Sequence, residues 1–203
     1  MKFLEFYTNL NSGFINEYRT DIQSHFLYST DKQNHHDYIV SYYDKEFSDK
    51  KQTPIKLMEI GILNGNSLRV WSKWFENLEL YGVDNWGEIP SVSNSELDNV
   101  KIITGDAYNL NFLDNFQDDY FDYIIDDGPH TTVSQVFFVD NWISKIKSKG
   151  KLILEDVYYD GSFETIKSHL EKNSLIDYYN VFDFRSNKTK YIYDSVIIEI
   201  IKK

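Results

Sequence analysis

The chain has 203 residues, 41% hydrophobic and 26% charged, which is enough apolar material for the core of one domain and leaves no repeat or low-complexity linker to mark a second. Its 32 acidic residues outweigh 21 scattered basic ones for a net charge of −11, which disfavours nucleic acid or an anionic membrane surface as a partner. Cysteine is absent, so disulfides and zinc–thiolate sites are excluded. No run of about 18 apolar residues occurs, and Met1–Tyr7 lacks the apolar core of a signal peptide, so the expectation is a soluble, cytoplasmic protein.

Residues 1–53 are predicted to form an N-terminal helical cover or lid on a core spanning 54–203, the two making a single domain. Phe3, Phe6, Tyr7 and Leu10, then Phe14, Ile15 and Tyr18, then Ile22, His25 and Phe26 fall at amphipathic helical spacings. Asp31–His36 reads as a loop and Tyr38–Phe47 as a further helix. These aromatic-rich stretches are candidates for a lid, a stacking wall, core packing or a homo-oligomer surface.

After Pro54 the pattern alternates. Strands are predicted at Ile55–Glu59, Glu79–Val83, Val100–Thr104, Phe121–Asp126 and Lys151–Glu155, with helices at Asn66–Asn77, Tyr108–Asn115, Val133–Ser148 and Ser162–Lys172. Thr131 and Thr132 are candidate caps for the third of these helices, and Lys145, Lys147, Lys149 and Gly150 read as its end. Ile176–Phe184 and Tyr191–Ile201, split by the turn-like Arg185–Lys188, form a predicted hairpin. The fold class is therefore α/β: a doubly wound, Rossmann-like, mostly parallel seven-stranded sheet with an antiparallel C-terminal hairpin strand.

Three acids mark successive strand ends. The first strand runs into Glu59-Ile60-Gly61-Ile62-Leu63-Asn64-Gly65-Asn66-Ser67, where two glycines allow a tight turn and helix N-terminal amides face a ligand. The three-glycine dinucleotide fingerprint and the Gly-Lys-Ser/Thr of a phosphate loop are both absent, which disfavours a nicotinamide or nucleoside triphosphate. Asp84 ends the second strand, where an acid can bind ribose hydroxyls, and Asp106 follows the third, where one can meet an adenine amine.

The densest chemistry lies at Asp126-Asp127-Gly128-Pro129-His130, answered one helix later by Glu155-Asp156. If the two strands are parallel neighbours, at least three carboxylates converge, and such a cluster repels itself unless a cation fills it. Oxygen ligands without cysteine suit Mg²⁺, Mn²⁺ or Ca²⁺, and a histidine beside a hard cation can remove a proton from a hydroxyl. Adjacent strand residues point to opposite faces, which favours Asp127 as the ligand and leaves Asp126 as a supporting or cofactor-side acid. His25, His35, His36 and His169 show no motif spacing and are assigned to surface or ordinary packing.

With these motifs the chain resembles the class I S-adenosylmethionine-dependent methyltransferases over about Lys56–Glu199. Gly150–Asp156 (Gly-Lys-Leu-Ile-Leu-Glu-Asp) and Asp-Asp-Gly-Pro-His further resemble the metal-dependent O-methyltransferases of macrolide and glycan sugars and the cephalosporin hydroxylase-like group, with Pro129 standing where serine is common. The resemblance implies S-adenosyl-L-methionine and Mg²⁺ (or Mn²⁺) as cofactors. It implies a methionine-side loop of Glu59, Gly61 and Gly65, with Asn66 and Ser67 beside it; Asp84 and Asn85 at the ribose; Asp106 and Ala107 at the adenine; and Asp126 on the same side. Asp127, Glu155 and Asp156 would bind the metal, and His130 with Asp127 would carry the catalysis, His130 as general base. The implied partner is a small molecule or glycan with adjacent hydroxyls. A catechol acceptor, a metal-dependent hydroxylase or hydrolase on the same fold, and a non-catalytic binding protein are the alternatives; a hydroxylase or hydrolase would have no need of the adenosine-binding acids.

Overall fold

The computed structural model describes residues 1–17, 30–34, 36–85, 97, 100–158, 161–187 and 194–203. Tyr18, Ile22, His25, Phe26, His35, Lys188 and Tyr191, singled out above, lie outside these.

The apolar runs after Pro54 become one sheet. It comprises β1 (Ile55–Ile60), β2 (Leu78–Asp84), β3 (Val100–Thr104), β4 (Phe121–Asp126), β5 (Ile146–Leu154), β6 (Ile176–Asp183) and β7 (Val196–Lys202), in the order β3-β2-β1-β4-β5-β7-β6. β1 to β5 pair in parallel and β7 runs antiparallel to both neighbours, as the predicted fold class requires. Every residue of β7 is buried, in keeping with its near-continuous apolar sequence and with a sheet covered on both faces. The chain leaves β1 toward β2 on one side and reaches β4 on the other, so a crevice opens at the carboxyl ends of β1 and β4.

One face is packed by α5 (Leu110–Leu113), α6 (Thr132–Asn141) and α7 (Gly161–Lys172), through Leu113, Phe138, Val139, Ile166 and Leu170. The other is packed by α1 (Phe3–Glu17), a π-helical turn (Ile39–Tyr43), α3 (Asp44–Phe47) and α4 (Asn66–Trp74), with the short α2 (Asp31–Asn34) against the π turn. Among the described residues, Phe3, Tyr7, Tyr38, Tyr42, Tyr43 and Phe47 of the N-terminal stretch are core. Phe3 stacks on Trp71 at 5.7 Å, and Phe47 meets Trp71 edge-on at 5.4 Å and Tyr123 at 5.3 Å. Phe3, Tyr38, Tyr43 and Phe47 are buried, so these rings are neither an open stacking wall nor an outer surface.

Local boundaries differ from the predicted ones for identifiable reasons. The helix expected over Val133–Ser148 ends at Asn141, continues as a 3₁₀ turn through Lys145, and gives way to β5 at Ile146. Two of the lysines that read as a helix end are strand residues reaching acids, Lys147 donating to Asp122 and Lys149 to Asp177, while Lys145 closes the 3₁₀ turn and donates to Asp118, each at 2.7 Å. Gly150 likewise lies within β5. Of Tyr108–Asn115 only Leu110–Leu113 is helical, opened by the Asn109 side chain accepting from the Asn111 amide. Asp31–Asn34 is a helical turn where a loop was expected, and the Tyr38–Phe47 helix begins with a π turn. No helix among the described residues is long and apolar enough to cross a membrane.

Lys151 ties the cover to the sheet, donating to Glu46 of α3 at 2.6 Å and to Glu199 of β7 at 2.8 Å. Tyr123 and Tyr42 complete the network by donating to the same two carboxylates. Truncation of this half-buried cation strips two charge-assisted bonds, so Lys151→Ala should lower unfolding free energy in urea by about 2 kcal/mol. An unchanged midpoint and slope would mean that aromatic packing alone holds the cover.

Candidate functional site

The carboxyl ends of β1, β4 and β5 are stapled together by backbone bonds. The Asp127 amide donates to Ile60 O at 2.9 Å and the Glu155 amide to Asp126 O at 3.0 Å. β4 ends at Asp126, so Asp127 is released from strand alternation and turns into the crevice. Asp127, His130 and Asp156 come together there, with one potential ligand atom from each within 4.8 Å of the others. His130 Nε2 is 3.7 Å from both Asp127 Oδ1 and Asp156 Oδ2.

Two of these three residues, His130 and Asp156, hold φ near 54°, a left-handed conformation that costs a non-glycine residue of order 1–3 kcal/mol and persists only where its surroundings enforce it. Thr131 enforces it on one side by capping α6 in a reciprocal box with Ser134. Gln135, on the first turn of α6, enforces it on the other by donating to the carbonyls of Glu155 and Asp156 at 3.2 and 3.3 Å. Burial pushes the His130 imidazole down to about 4, so the ring is neutral at neutral pH. Burial also raises Asp156 and Asp127 well above the usual carboxylate range, with Lys32 opposing it in both.

A cleft of about 480 Å³ adjoins the trio and is walled by Gly61, Asp84, Asn85, Asp106, Ala107, Tyr108, Asp127, Pro129 and His130. Asp84 Oδ2 accepts from the amides of Ile62 and Leu63, both at 3.1 Å, so it braces the glycine loop as well as lining the cleft. Gly61 has φ +84°, and a Cβ there would stand 2.0 Å from the Asp127 carbonyl oxygen. The loop after β1 therefore rests directly on the backbone that carries Asp127. Gly128 is similarly confined, since a Cβ would meet the Tyr108 hydroxyl.

Other residues of the predicted site face elsewhere. Glu59 is buried and accepts from Ser67 Oγ at 2.7 Å and Trp71 Nε1 at 2.8 Å, which locks α4 to β1 and turns Ser67 away from the cleft. Gly65 is the left-handed cap of α4, and Asn66 accepts from Arg69. Asp126 lies beneath the cleft, accepting from the Tyr108 hydroxyl and the Gly128 amide, and burial lifts it to about 7. Glu155, 1% exposed, points inward, accepting from Tyr43 at 2.6 Å and from Lys32, and is lifted by burial to about 7.

Lys32, Tyr38, Tyr43 and His36 are site residues with no motif in the sequence. Lys32 Nζ donates to Asp127 Oδ2 at 2.6 Å and to Glu155 Oε2, and lies 3.2 Å from Glu59 Oε1. Tyr38 donates to Asp156 Oδ1 at 2.7 Å. His36, buried rather than superficial, sits 3.5 Å from the same oxygen, whereas His169 is an exposed partner of Asp140. The π turn brings Tyr42 and Tyr43 to sheet carboxylates on the heels of Tyr38. The one signal available beforehand was electrostatic, because a knot of buried acids requires a cation.

The sheet order, the crevice at its switch point and the acids around it define a class I, Rossmann-like methyltransferase fold. A family model described as a methyltransferase domain matches residues 58–157. Within that class the chain resembles sugar O-methyltransferases. It is 28% identical over 142 residues to mycinamicin VI 2''-O-methyltransferase of Micromonospora griseorubida, covering 64% of this chain and 34% of that protein. It is 25% identical over 164 residues to demethylmacrocin O-methyltransferase of Streptomyces fradiae, covering 73% and 40%. A crystal structure of the MycE methyltransferase from mycinamycin biosynthesis, in complex with Mg and SAH, superposes with a TM-score of 0.67 at 21% identity, over 86% of this chain and 52% of that one. The chain thus spans about half or less of the length of these relatives.

The contact between Gly61 and Asp127 gives a direct test of the site's construction. Gly61→Ala adds both a clash and a strained φ, and is expected to destabilise by about 2–5 kcal/mol in chemical denaturation. A loss under about 1 kcal/mol, or the small gain that a strain-free Gly→Ala change brings, would show that the loop yields freely.

Proposed function

We propose that this chain is an S-adenosylmethionine-dependent O-methyltransferase acting, with a divalent cation, on a hydroxyl of a sugar in a glycan, nucleotide sugar or glycosylated natural product. The observation that carries the reading is the shared cleft, in which Asp84 and Asp106 stand at neighbouring strand ends and Asp127, His130 and Asp156 close the adjoining side. A metal cluster alone would serve many reactions. Beside two acids suited to ribose and adenine it serves methyl transfer best.

The cleft fits an adenosine-bearing cofactor. Asp84 would take the ribose hydroxyls, Asp106 and Ala107 would flank the base, and the Gly61 turn would face the methionine end. The donor set also fits a hard divalent ion, since Asp127 and Asp156 supply carboxylate oxygens and no thiolate is available to favour a softer metal. When bound, S-adenosylmethionine supplies a methyl group on a positively charged sulfur, and the divalent ion lowers the pKa of the acceptor hydroxyl and fixes its orientation.

His130 has the geometry of the base. Its imidazole is neutral and can take the hydroxyl proton at Nε2, which lies 3.7 Å from both Asp127 and Asp156. A base with so low a pKa is weak, and it becomes competent as the hydroxyl is acidified. The strained backbone at His130 holds the ring at the edge of the cleft, which is positioning of the kind that orientation effects reward. Two relatives named as 3'- and 2'-O-methyltransferases of rhamnosyl tetracenomycin-C compounds support a sugar acceptor.

Transfer of a labelled methyl group over a panel of glycosides, with and without chelator, tests this reading. Turnover on a sugar is expected, with loss on complete metal removal and recovery on adding Mg²⁺ or Mn²⁺. His130→Ala should lower turnover by roughly 10²–10⁴-fold, the usual contribution of a general base, while S-adenosylhomocysteine still raises the melting temperature. Full activity in His130→Ala would remove it from the mechanism. No methyl transfer and no melting shift would favour a metal-dependent hydroxylase or hydrolase.

A further inference from the structure

We propose that Lys32 is the resident cation of the carboxylate cluster and competes with a divalent ion for Asp127 and Glu155. This deepens the functional reading above and rests on it. Lys32 is 1% exposed, and its ammonium sits among three carboxylates from three strand ends, bonded to Asp127 Oδ2 and Glu155 Oε2 with Glu59 Oε1 at 3.2 Å. Two carboxylate oxygens within hydrogen-bond reach and a third at 3.2 Å surround the ammonium, so the charge is paired where it sits.

Asp127 is the shared element. Its Oδ2 serves Lys32 while its Oδ1 faces His130, and the Glu155 side chain is given over to Lys32 and Tyr43. A Mg²⁺ ion needs such oxygens at about 2.0–2.1 Å, and a second cation brought against a buried ammonium is repelled with little water to screen it. Glu155 can join Asp127 and Asp156 around an ion only if Lys32 withdraws. Lys32 lies on the short helix Asp31–Asn34, and Asp31 also lines the cleft, so withdrawal would change the cleft wall as well. Until an ion arrives, the ammonium keeps the acids together and the site formed.

Binding of Mn²⁺ to the full chain, read from the electron paramagnetic resonance signal of the free ion, tests the competition. Lys32→Met, which keeps the stem and removes the charge, should bind Mn²⁺ about 10–100-fold more tightly than wild type, the range over which residues around metal ligands tune affinity. Lys32→Arg, which keeps the charge, should bind no more tightly than wild type. Equal or weaker binding by Lys32→Met overturns the proposal. If Lys32→Met is unfolded without an ion, melting with Mn²⁺ decides: a larger rise than wild type shows supports competition, and a protein still unfolded at saturating Mn²⁺ overturns it. S-adenosylhomocysteine is titrated in parallel. A melting shift with it, alongside unchanged Mn²⁺ affinity in Lys32→Met, overturns the competition and leaves the methyl-transfer reading standing.

Discussion

Buried negative charge is the constraint on which the rest of the molecule turns. Glu59, Asp127, Glu155 and Asp156 meet at the adjoining ends of β1, β4 and β5, and each ionised carboxylate taken from water costs several kcal/mol unless it is paired. A protein built only for stability would place apolar side chains there. The N-terminal cover meets the cost instead, delivering Lys32 to three of the acids, Tyr43 to Glu155, and Tyr38 with His36 to Asp156. The cover's outer half is aromatic packing on Trp71 and Trp74, and its inner half is a set of polar tips aimed at carboxylates. The buried tyrosines of the cover are intelligible in that light, because tyrosine combines a large ring with a hydroxyl donor at its end.

The sheet was legible in the sequence because its signals are local. Val100–Thr104 and Phe121–Asp126 have the predicted bounds, and the alternation with Asn66–Trp74 and Gly161–Lys172 was enough to imply a doubly wound topology. Prediction failed where local and tertiary signals conflict. Ile146–Gly150 carries helix-ending lysines and a glycine, yet β-pairing of Ile146 with Phe121 and ion pairs to Asp122 and Asp177 make it strand. The π turn at Ile39–Tyr43 has no sequence signature, since a one-residue expansion leaves the apolar spacing nearly unchanged.

The candidate site was legible only as far as its motifs reach. Gly61, Asp84, Asp106, Asp127 and His130 stand at strand ends, and the topology carries them into one cleft. Glu59 and Ser67 occupy motif positions too, but the same motif also fastens α4 to β1, and the two bond to each other in the interior. Lys32 was illegible because its partners are 95 and 123 residues away, and a single lysine in a polar stretch looks like solvated surface. The deficit of positive charge around the acids signalled that some cation was needed. It did not specify whether that cation came from solution or from the chain.

Anomalous diffraction from a crystal of the full chain grown with Mn²⁺ and S-adenosylhomocysteine tests the combined adenosine and metal site most directly. The expected result is adenosine density between Asp84 and Asp106, with a single Mn²⁺ peak on Asp127 and Asp156 and His130 directed at the open coordination positions. Adenosine bound away from those two acids, or a Mn²⁺ peak that leaves Asp127 and Asp156 untouched, would contradict the assignment of this cleft to metal-assisted methyl transfer.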